Sequence, residues 1–584
     1  MEYSKLVETY EKLEKTPKRL EKTKIISRLL KETPENLLDK IIYLLQGKVF
    51  PKWDERKTGM SSRLVLKAIN SSTGETITKI ENEWVKEGDL GIVVEKLIKK
   101  SKQTSLFKIK LTVEKVFENI QKLSELEGQG TVTKKIQYIT ELLTSAETNE
   151  AKFIARTVIE DLRIGVKDGV IRDAIVYTYF PRIKGINEEE GFKTIEPSEK
   201  EAREVYNEQV KKIEEAYNLT NDFAEVAKAA KKNNLDSLKM QIGKPINPML
   251  AIRIESPEEA FDAVGTPALV EDKLDGFRLQ IHKNKDEITL FTRRLENVTK
   301  QFKEILPIIK SNVKLKETIL DAELVGYDPE TKKHLPFQHI SQRIRRKYDI
   351  EKTAEKLPVE IQIFDILNKE GKALLHLTQK ERRNILEKSI KQEKTKIMIT
   401  KKLITTSKKE MKEFYKKSLK EGNEGIMIKN LESKYIPGRR VGGWVKLKPI
   451  KETLDLVITG ADWGEGKRSE WLASFTLSCR DKNELLTMGK VGTGIAEKDA
   501  ELTFASLTKE LKPLIKEQKG KHAILKPKII LEIGYEEIQK SPTYKSGFAL
   551  RFPKVVNIRK DLGFTDIDDI NRVKKIFISQ HKVK

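Results

Sequence analysis

The chain has 584 residues with 113 Lys and Arg against 89 Asp and Glu, a net charge of +24 and a pI near 9.4. A chain of this length is expected to hold about three or four domains, and its basic excess fits either a polyanionic partner or a solvated surface. The single cysteine, Cys479, excludes an intrachain disulfide and a cysteine-cluster zinc site. No apolar run approaches the roughly 20 residues that span a bilayer, and the start MEYSKLVETYEKLEK is charged, so a soluble intracellular protein is expected.

From Met1 to about Leu235 the pattern predicts amphipathic helices. In EAKFIARTVIEDLRIGV, Ile154, Val158 and Leu162 recur every four residues and Gly165 is a natural stop. Arg156 and Arg163 are seven apart and fall on a similar face of that predicted helix, as solvated charge or as phosphate contacts. The polar run AAKKNNLDSLK, residues 229 to 239, followed by GKPINPML, marks a candidate linker.

From about Ala251 to Pro449, short β-branched runs such as PALVEDKL, FRLQIH, ETILDAELVGY, VEIQIFDIL, GIMIK and WVKLK alternate with basic helical stretches, predicting a mixed α/β domain. After Pro449 the runs LDLVITGADW, WLASFTLSCR and ILKPKIILEIGYEEI predict a small all-β domain, most economically a barrel.

Within PALVEDKLDGFRLQIH an apolar strand leads to Glu271, Asp272 and Lys273, then a turn at Asp275-Gly276 and a second alternating strand. Alternation puts Glu271 and Lys273 on one face. A lysine at a strand end among charged groups is a candidate nucleophile if its neutral amine is favoured, although K-x-D-G alone is a weak signal and an exposed charge is the plainer reading.

EDKLDGFR resembles the adenylation motif of the covalent nucleotidyltransferases: DNA ligases, RNA ligases and mRNA capping enzymes. Further motifs of that superfamily follow in order. FTRRLENVT supplies Arg293, LDAELVGYD supplies Asp321 and Glu323, IFDIL supplies Phe364, EGIMIK supplies Glu424 and Lys429, and PGRRVGGWVKLKP supplies Arg440, Trp444, Lys446 and Lys448. The resemblance implies that Lys273 attacks the α-phosphate of ATP, that AMP passes to the 5′-phosphate of a nick, and that the 3′-hydroxyl displaces it. It implies that Glu271 reads the base, that Arg278 and Arg293 bind sugar or phosphate, and that Phe364 stacks on adenine. Asp321 and Glu323, two apart on a strand, are expected to join Glu424 as oxygen ligands for Mg²⁺ or Mn²⁺. Arg293, Arg440, Lys446 and Lys448 are expected to neutralise phosphate charge.

The resemblance is closest to ATP-dependent DNA ligases of the archaeal and eukaryotic replicative type. It implies a helical DNA-binding domain over residues 1–235, an α/β adenylation domain over 236–450 and an OB-fold domain over 451–584. It also turns Arg156 and Arg163 into expected DNA contacts. The last segment supplies Arg551, Lys554 and Arg559 to orient pyrophosphate, with one departure: Asp561 is followed by Leu562, where many relatives have lysine. In SKQTSLFKIK, residues Gln103, Leu106 and Phe107 resemble peptides that dock on the replication sliding clamp, or else anchor a loop. The implied protein is a monomer of an archaeal cell acting on nicked duplex DNA in replication, repair and recombination. The rivals are a GTP-using capping enzyme or an RNA ligase, and a silent DNA-binding scaffold. One cysteine argues against the zinc-bearing NAD⁺-dependent ligases.

Overall fold

The computed structural model describes residues 1–584 except 55, 101–109, 127, 129, 181–199, 345–349, 439–442, 450–452, 465–467, 469, 498–501 and 582–584. The chain divides into two units, Met1–Lys448 and Pro449–Lys584. Among the described residues no helix is long and apolar enough to cross a membrane.

The first unit begins with helices, among them α1 (Tyr3–Lys15), α2 (Leu90–Lys100) and α3 (Thr148–Val158). They form because apolar residues recur on one face: Tyr3, Leu6, Val7, Tyr10 and Leu13 of α1 meet Phe153 and Ile154 of α3 in one core. The expected helix through Leu162 is shorter than its periodicity suggested. It stops at Val158, and Glu160 and Arg163 take left-handed backbone conformations at φ 57° and 58°. Arg156 and Arg163 therefore do not share a helix face.

Two sheets carry the remainder of this unit. The first has the order β1 (Ile252–Ile254), β10 (Trp444–Leu447), β9 (Gly425–Asn430), β2 (Ala268–Lys273), β8 (Lys402–Thr405). One face packs Val270, Ile426, Ile428, Val445 and Leu447 on helices α4 (Glu258–Val264) and α6 (Lys408–Lys420). Register places the other set of residues in rows: Glu271 beside Met427 beside Lys446, and Lys429 beside Trp444. The second sheet includes β3 (Phe277–Asn284), β4 (Glu287–Thr292), β5 (Glu317–Tyr327), β6 (Val359–Lys369) and β7 (Ile397–Ile399). Helix α5 (Gln379–Ser389) follows β6 in the chain and starts with a capping box in which Thr378 and Glu381 satisfy each other's backbone N–H groups.

The second part of the segment expected to be a linker, residues 243–249, is stitched down on both sides. Along one face of β3, His282 Nδ1 accepts from Gly243 N–H at 3.0 Å, Gln280 exchanges bonds with both backbone groups of Ile246 at 2.8 and 3.3 Å, and Arg278 donates to the Met249 carbonyl at 3.0 Å. From the helical side, Asn221 donates to the Pro245 carbonyl at 3.1 Å and Glu225 pairs with Lys244. Alternate residues of β3 thus hold every third residue of the strap, so buried backbone groups find partners where no regular ladder exists.

In the second unit β11 (Thr453–Trp463) is central. It pairs antiparallel with β12 (Leu472–Asp481), β14 (His522–Leu525) and β15 (Ile530–Gly534), while β13 (Glu484–Val491) extends β12 and β16 (Lys554–Ile558) extends β15. A shift in register between Ile458 and Gly460 lets the strand turn from one partner set to the other. Phe475, Leu477, Leu531 and Ile533 fill the core with Phe504 and Leu507 of α7 (Phe504–Leu511) and with Ile570 and Val573 of α8 (Ile570–His581).

Candidate active site

Lys273 ends β2, and its side chain is one-fifth exposed. Its Nζ lies 2.5 Å from Oε2 of Glu424, whose other oxygen pairs with Lys448. Two glycines make this closeness possible. A Cβ on Gly425, at φ 149°, would stand 2.1 Å from the Leu447 carbonyl oxygen, and one on Gly276 would stand 2.3 Å from that of Leu324. Glycine at 425 thus lets β9 approach β10 and set Glu424, whose N–H donates to the Lys273 carbonyl at 2.8 Å, beside the lysine.

Two residues back on the same face, Glu271 is buried at 1 % exposure with both oxygens charge-paired. Oε1 takes Arg383 and Oε2 takes Lys429, the latter at 2.5 Å. Lys429 Nζ stands over Trp444 at 4.3 Å and over Phe364 at 5.2 Å, and the two rings meet edge to face at 6.2 Å. Trp444 donates through Nε1 to Gln379 at 3.0 Å. An aromatic surface beside a fixed carboxylate is what a heterocyclic base requires.

On the facing sheet Glu323 is partly buried, and burial pushes its carboxyl up to about 7; Asp275 adds to this while Lys273, Arg278 and Arg293 oppose it. Asp321 behaves otherwise and corrects the expectation of a three-carboxylate metal set. It is fully buried, and its oxygens are held by Arg278, by Tyr435 at 2.6 Å and by Gln280 at 3.2 Å. Arg278 is likewise committed: it bonds Asp321, Tyr435 at 2.8 Å and the strap, and lies over Phe364 at 5.2 Å. Among the described residues no group of three acidic, histidine or cysteine side chains could hold a metal ion. Two carboxylates remain, Glu323 and Glu424, which fits Mg²⁺, an ion that commonly takes one or two carboxylates with substrate phosphates and water. The raised Glu323 carboxyl is a group whose ionised form a cation would favour. Arg293 is exposed in the turn after β4, and Lys446 is partly buried in the row that contains Glu271. Arg440 lies outside the described residues, as do Gln103, Leu106 and Phe107.

Arg156 corrects the second expectation. It is 2 % exposed, bonding Asp89 at 2.6 Å and Glu14 at 3.0 Å, so it ties α3 to α1 and to the start of α2 instead of facing DNA. Arg163 is more open but pairs with Asp161 at 2.6 Å and donates to the Gly88 carbonyl at 3.1 Å. A more open surface with an excess of cations lies elsewhere: a cleft of about 660 Å³ between the segment 48–58 and the turn after β4 is lined by Lys48, Lys52, Arg56, Lys57 and Arg294 against Asp54, Glu160 and Glu296.

In the second unit, Arg559 is paired with Asp455 at 3.1 Å and with Asp561 at 2.8 Å, and Arg551 with Glu537 at 3.4 Å. Leu562, in place of the expected lysine, packs against the small cluster of Val457, Ile530 and Ile567.

Comparison with known proteins gives a consistent answer. The model described as ATP dependent DNA ligase domain matches residues 248–448, DNA ligase N terminus matches 2–176, and ATP dependent DNA ligase C terminal region matches 468–562. The chain is 45 % identical to a DNA ligase of Nanoarchaeum equitans over 99 % of both chains. It is 40 % identical to a DNA ligase of Thermococcus onnurineus over all of this chain and 99 % of that one. The chain belongs to the ATP-dependent DNA ligase family. That membership carries ATP use and the joining of DNA, and it does not favour a GTP-using capping enzyme or an RNA ligase. A solved structure named "Pmar-Lig_PreS3" shares the multidomain fold at a TM-score of 0.56 and 17 % identity, over 95 % of this chain and 99 % of that one.

Sequence reasoning gave no role to Arg383 or to Tyr435. Each is separated from its acidic partner by more than 100 positions, 112 for Arg383 and Glu271 and 114 for Tyr435 and Asp321, and no local spacing announces such pairs.

Proposed function

We propose that this ligase seals nicks in duplex DNA through a covalent adenylate on Lys273. The observation that carries the proposal is a row of groups along one sheet, Glu271 and Trp444 at one end and Lys273, Glu424 and Lys448 at the other, with Phe364 of the second sheet meeting Trp444. A purine triphosphate laid along that row has its base on Phe364 and its phosphates at the lysines. Glu424 is placed to take the proton of Lys273. The freed Nζ electron pair forms the N–P bond to the α-phosphate as the P–O bond to pyrophosphate breaks. The AMP then passes to the 5′-phosphate of the nick and leaves when the 3′-hydroxyl attacks.

Lys446, Lys448, Arg293 and Arg440 would neutralise phosphate charge, and Arg551, Lys554 and Arg559 of an OB-fold unit would orient pyrophosphate. Bound Mg²⁺ at Glu323 and Glu424 would supply positive charge beside the phosphates. Lys48, Lys52, Lys57 and Arg294 fit the DNA backbone better than Arg156 does. We propose further a three-part division at 235 and 450, a monomeric state inside the cell, and sliding-clamp docking through Gln103, Leu106 and Phe107. Incubation with α-labelled ATP or GTP and Mg²⁺, followed by nicked DNA or nicked RNA, tests the reading: label from ATP on Lys273 that passes to nicked DNA is expected, and a protein unlabelled by either nucleotide would sink it.

A further inference from the structure

Arg383 sits on α5, 6 % exposed, with its donors distributed in three directions. Nε bonds Glu387 at 2.8 Å, Nη1 bonds Glu271 and the Thr400 hydroxyl at 3.1 Å, and Nη2 bonds the Thr400 carbonyl at 2.6 Å. A guanidinium gripped this way cannot turn without losing several bonds, so the Glu271 carboxylate it holds has a fixed orientation. The adjacent Arg382 makes a different connection: with Asp365 it forms a fully buried pair that fastens the helix to β6. Lys429, the second cation on Glu271, also forms part of the aromatic wall. Arg383 is thus the cation whose approach to the site runs through Glu271.

We infer that Arg383 is a positioning residue for the nucleobase: by fixing the orientation of Glu271 it sets the preference for a purine that carries an amine at position 6. The inference rests on the assignment of Glu271 to the base. A carboxylate whose two oxygens each face a cationic donor presents only acceptor positions to a ligand. A 6-amino group donates to it, whereas a 6-keto oxygen is repelled, and a site built to bond a donor rejects the analogue that lacks it.

Self-adenylation of the full chain should be followed with ATP, inosine triphosphate (6-keto) and purine riboside triphosphate (no 6-substituent). Arg383→Ala should raise KM for ATP about 10-fold with a smaller change in kcat, and should narrow the ATP-to-inosine preference by a similar factor. Arg383→Lys should restore part of that preference, and in a Glu271→Gln background Arg383→Ala should change it no further. Should Arg383→Ala fail to fold, Thr400→Val, which removes one anchor of Nη1, should narrow the preference about threefold. Equal losses with all three nucleotides, or an unchanged preference alongside a lowered Tm, would show that Arg383 merely fastens a helix, and would overturn the inference. A wild-type chain that takes no label from ATP would instead refute the proposed function.

Discussion

The two ends of the proposed nucleotide cleft solve the same electrostatic problem in opposite ways. Glu271 and Glu424 each hold two cations, yet Glu271 is buried with its partners 1 % and 6 % exposed, whereas Glu424, Lys273 and Lys448 are 20 %, 20 % and 13 % exposed. On the proposed reading the base end is finished before the nucleotide arrives. The phosphate end is provisional, because Lys273 must leave its pair with Glu424 before it can attack. Preorganisation is placed where recognition needs it, and exchangeable pairing where charge must move.

This contrast can be broken most severely at the lysine: Lys273→Ala should abolish covalent labelling by ATP, a loss on the order of 10⁴-fold or more, while the melting temperature stays near that of the parent. A buried pair outside the cleft gives the opposite outcome. Arg156→Ala removes the nearest cation from Asp89, which keeps Arg163 at 3.4 Å and the Gly91 N–H at 2.8 Å, and should cost about 3 kcal/mol of stability in denaturant titrations, with the salt dependence of DNA binding unaltered; a flattened salt dependence would restore Arg156 as a DNA contact.

Acid probes the scaffold under the base end. Burial drops the His282 pKa to about 3 from the ordinary 6.5, so the unfolded chain binds the extra proton first as pH falls. The stabilisation from neutral His282 is therefore complete above about 6.5 and is lost as pH falls from there toward 3, by on the order of a few kcal/mol. His282→Gln should flatten that limb of the stability curve. At the phosphate end Glu424→Gln should slow adenylation about 10²-fold with KM for ATP less affected, and a pure KM effect would remove Glu424 as proton acceptor. The smallest changes belong to the open cleft, where Lys52→Ala and Arg294→Ala should each lower the salt slope of DNA binding by about 1.

Much of the cleft could be read from strand alternation. It put Glu271 with Lys273, because β2 is regular where those residues lie. The same rule brought Asp321 beside Glu323 in chemistry as well as position, and there it failed. What decides Asp321 is Tyr435, a residue from a distant loop, together with Arg278. The helix drawn through Leu162 failed for a local reason: Leu162 is buried and keeps the apolar period, but the backbone at Glu160 has already turned left-handed. Periodicity records burial, and burial does not require a helix.

The stitched segment between Gly243 and Met249 bears on where the chain may be cut. A fragment begun at Ala251, the point at which the sequence pattern turns to strands, would leave Gln280 and His282 without the backbone groups they serve and Arg278 without one of its anchors. Chimaeras that exchange the helical region for that of a relative should therefore carry residues 240 to 250 along with the catalytic sheets, treating them as part of the enzyme's interior and not as spare cord.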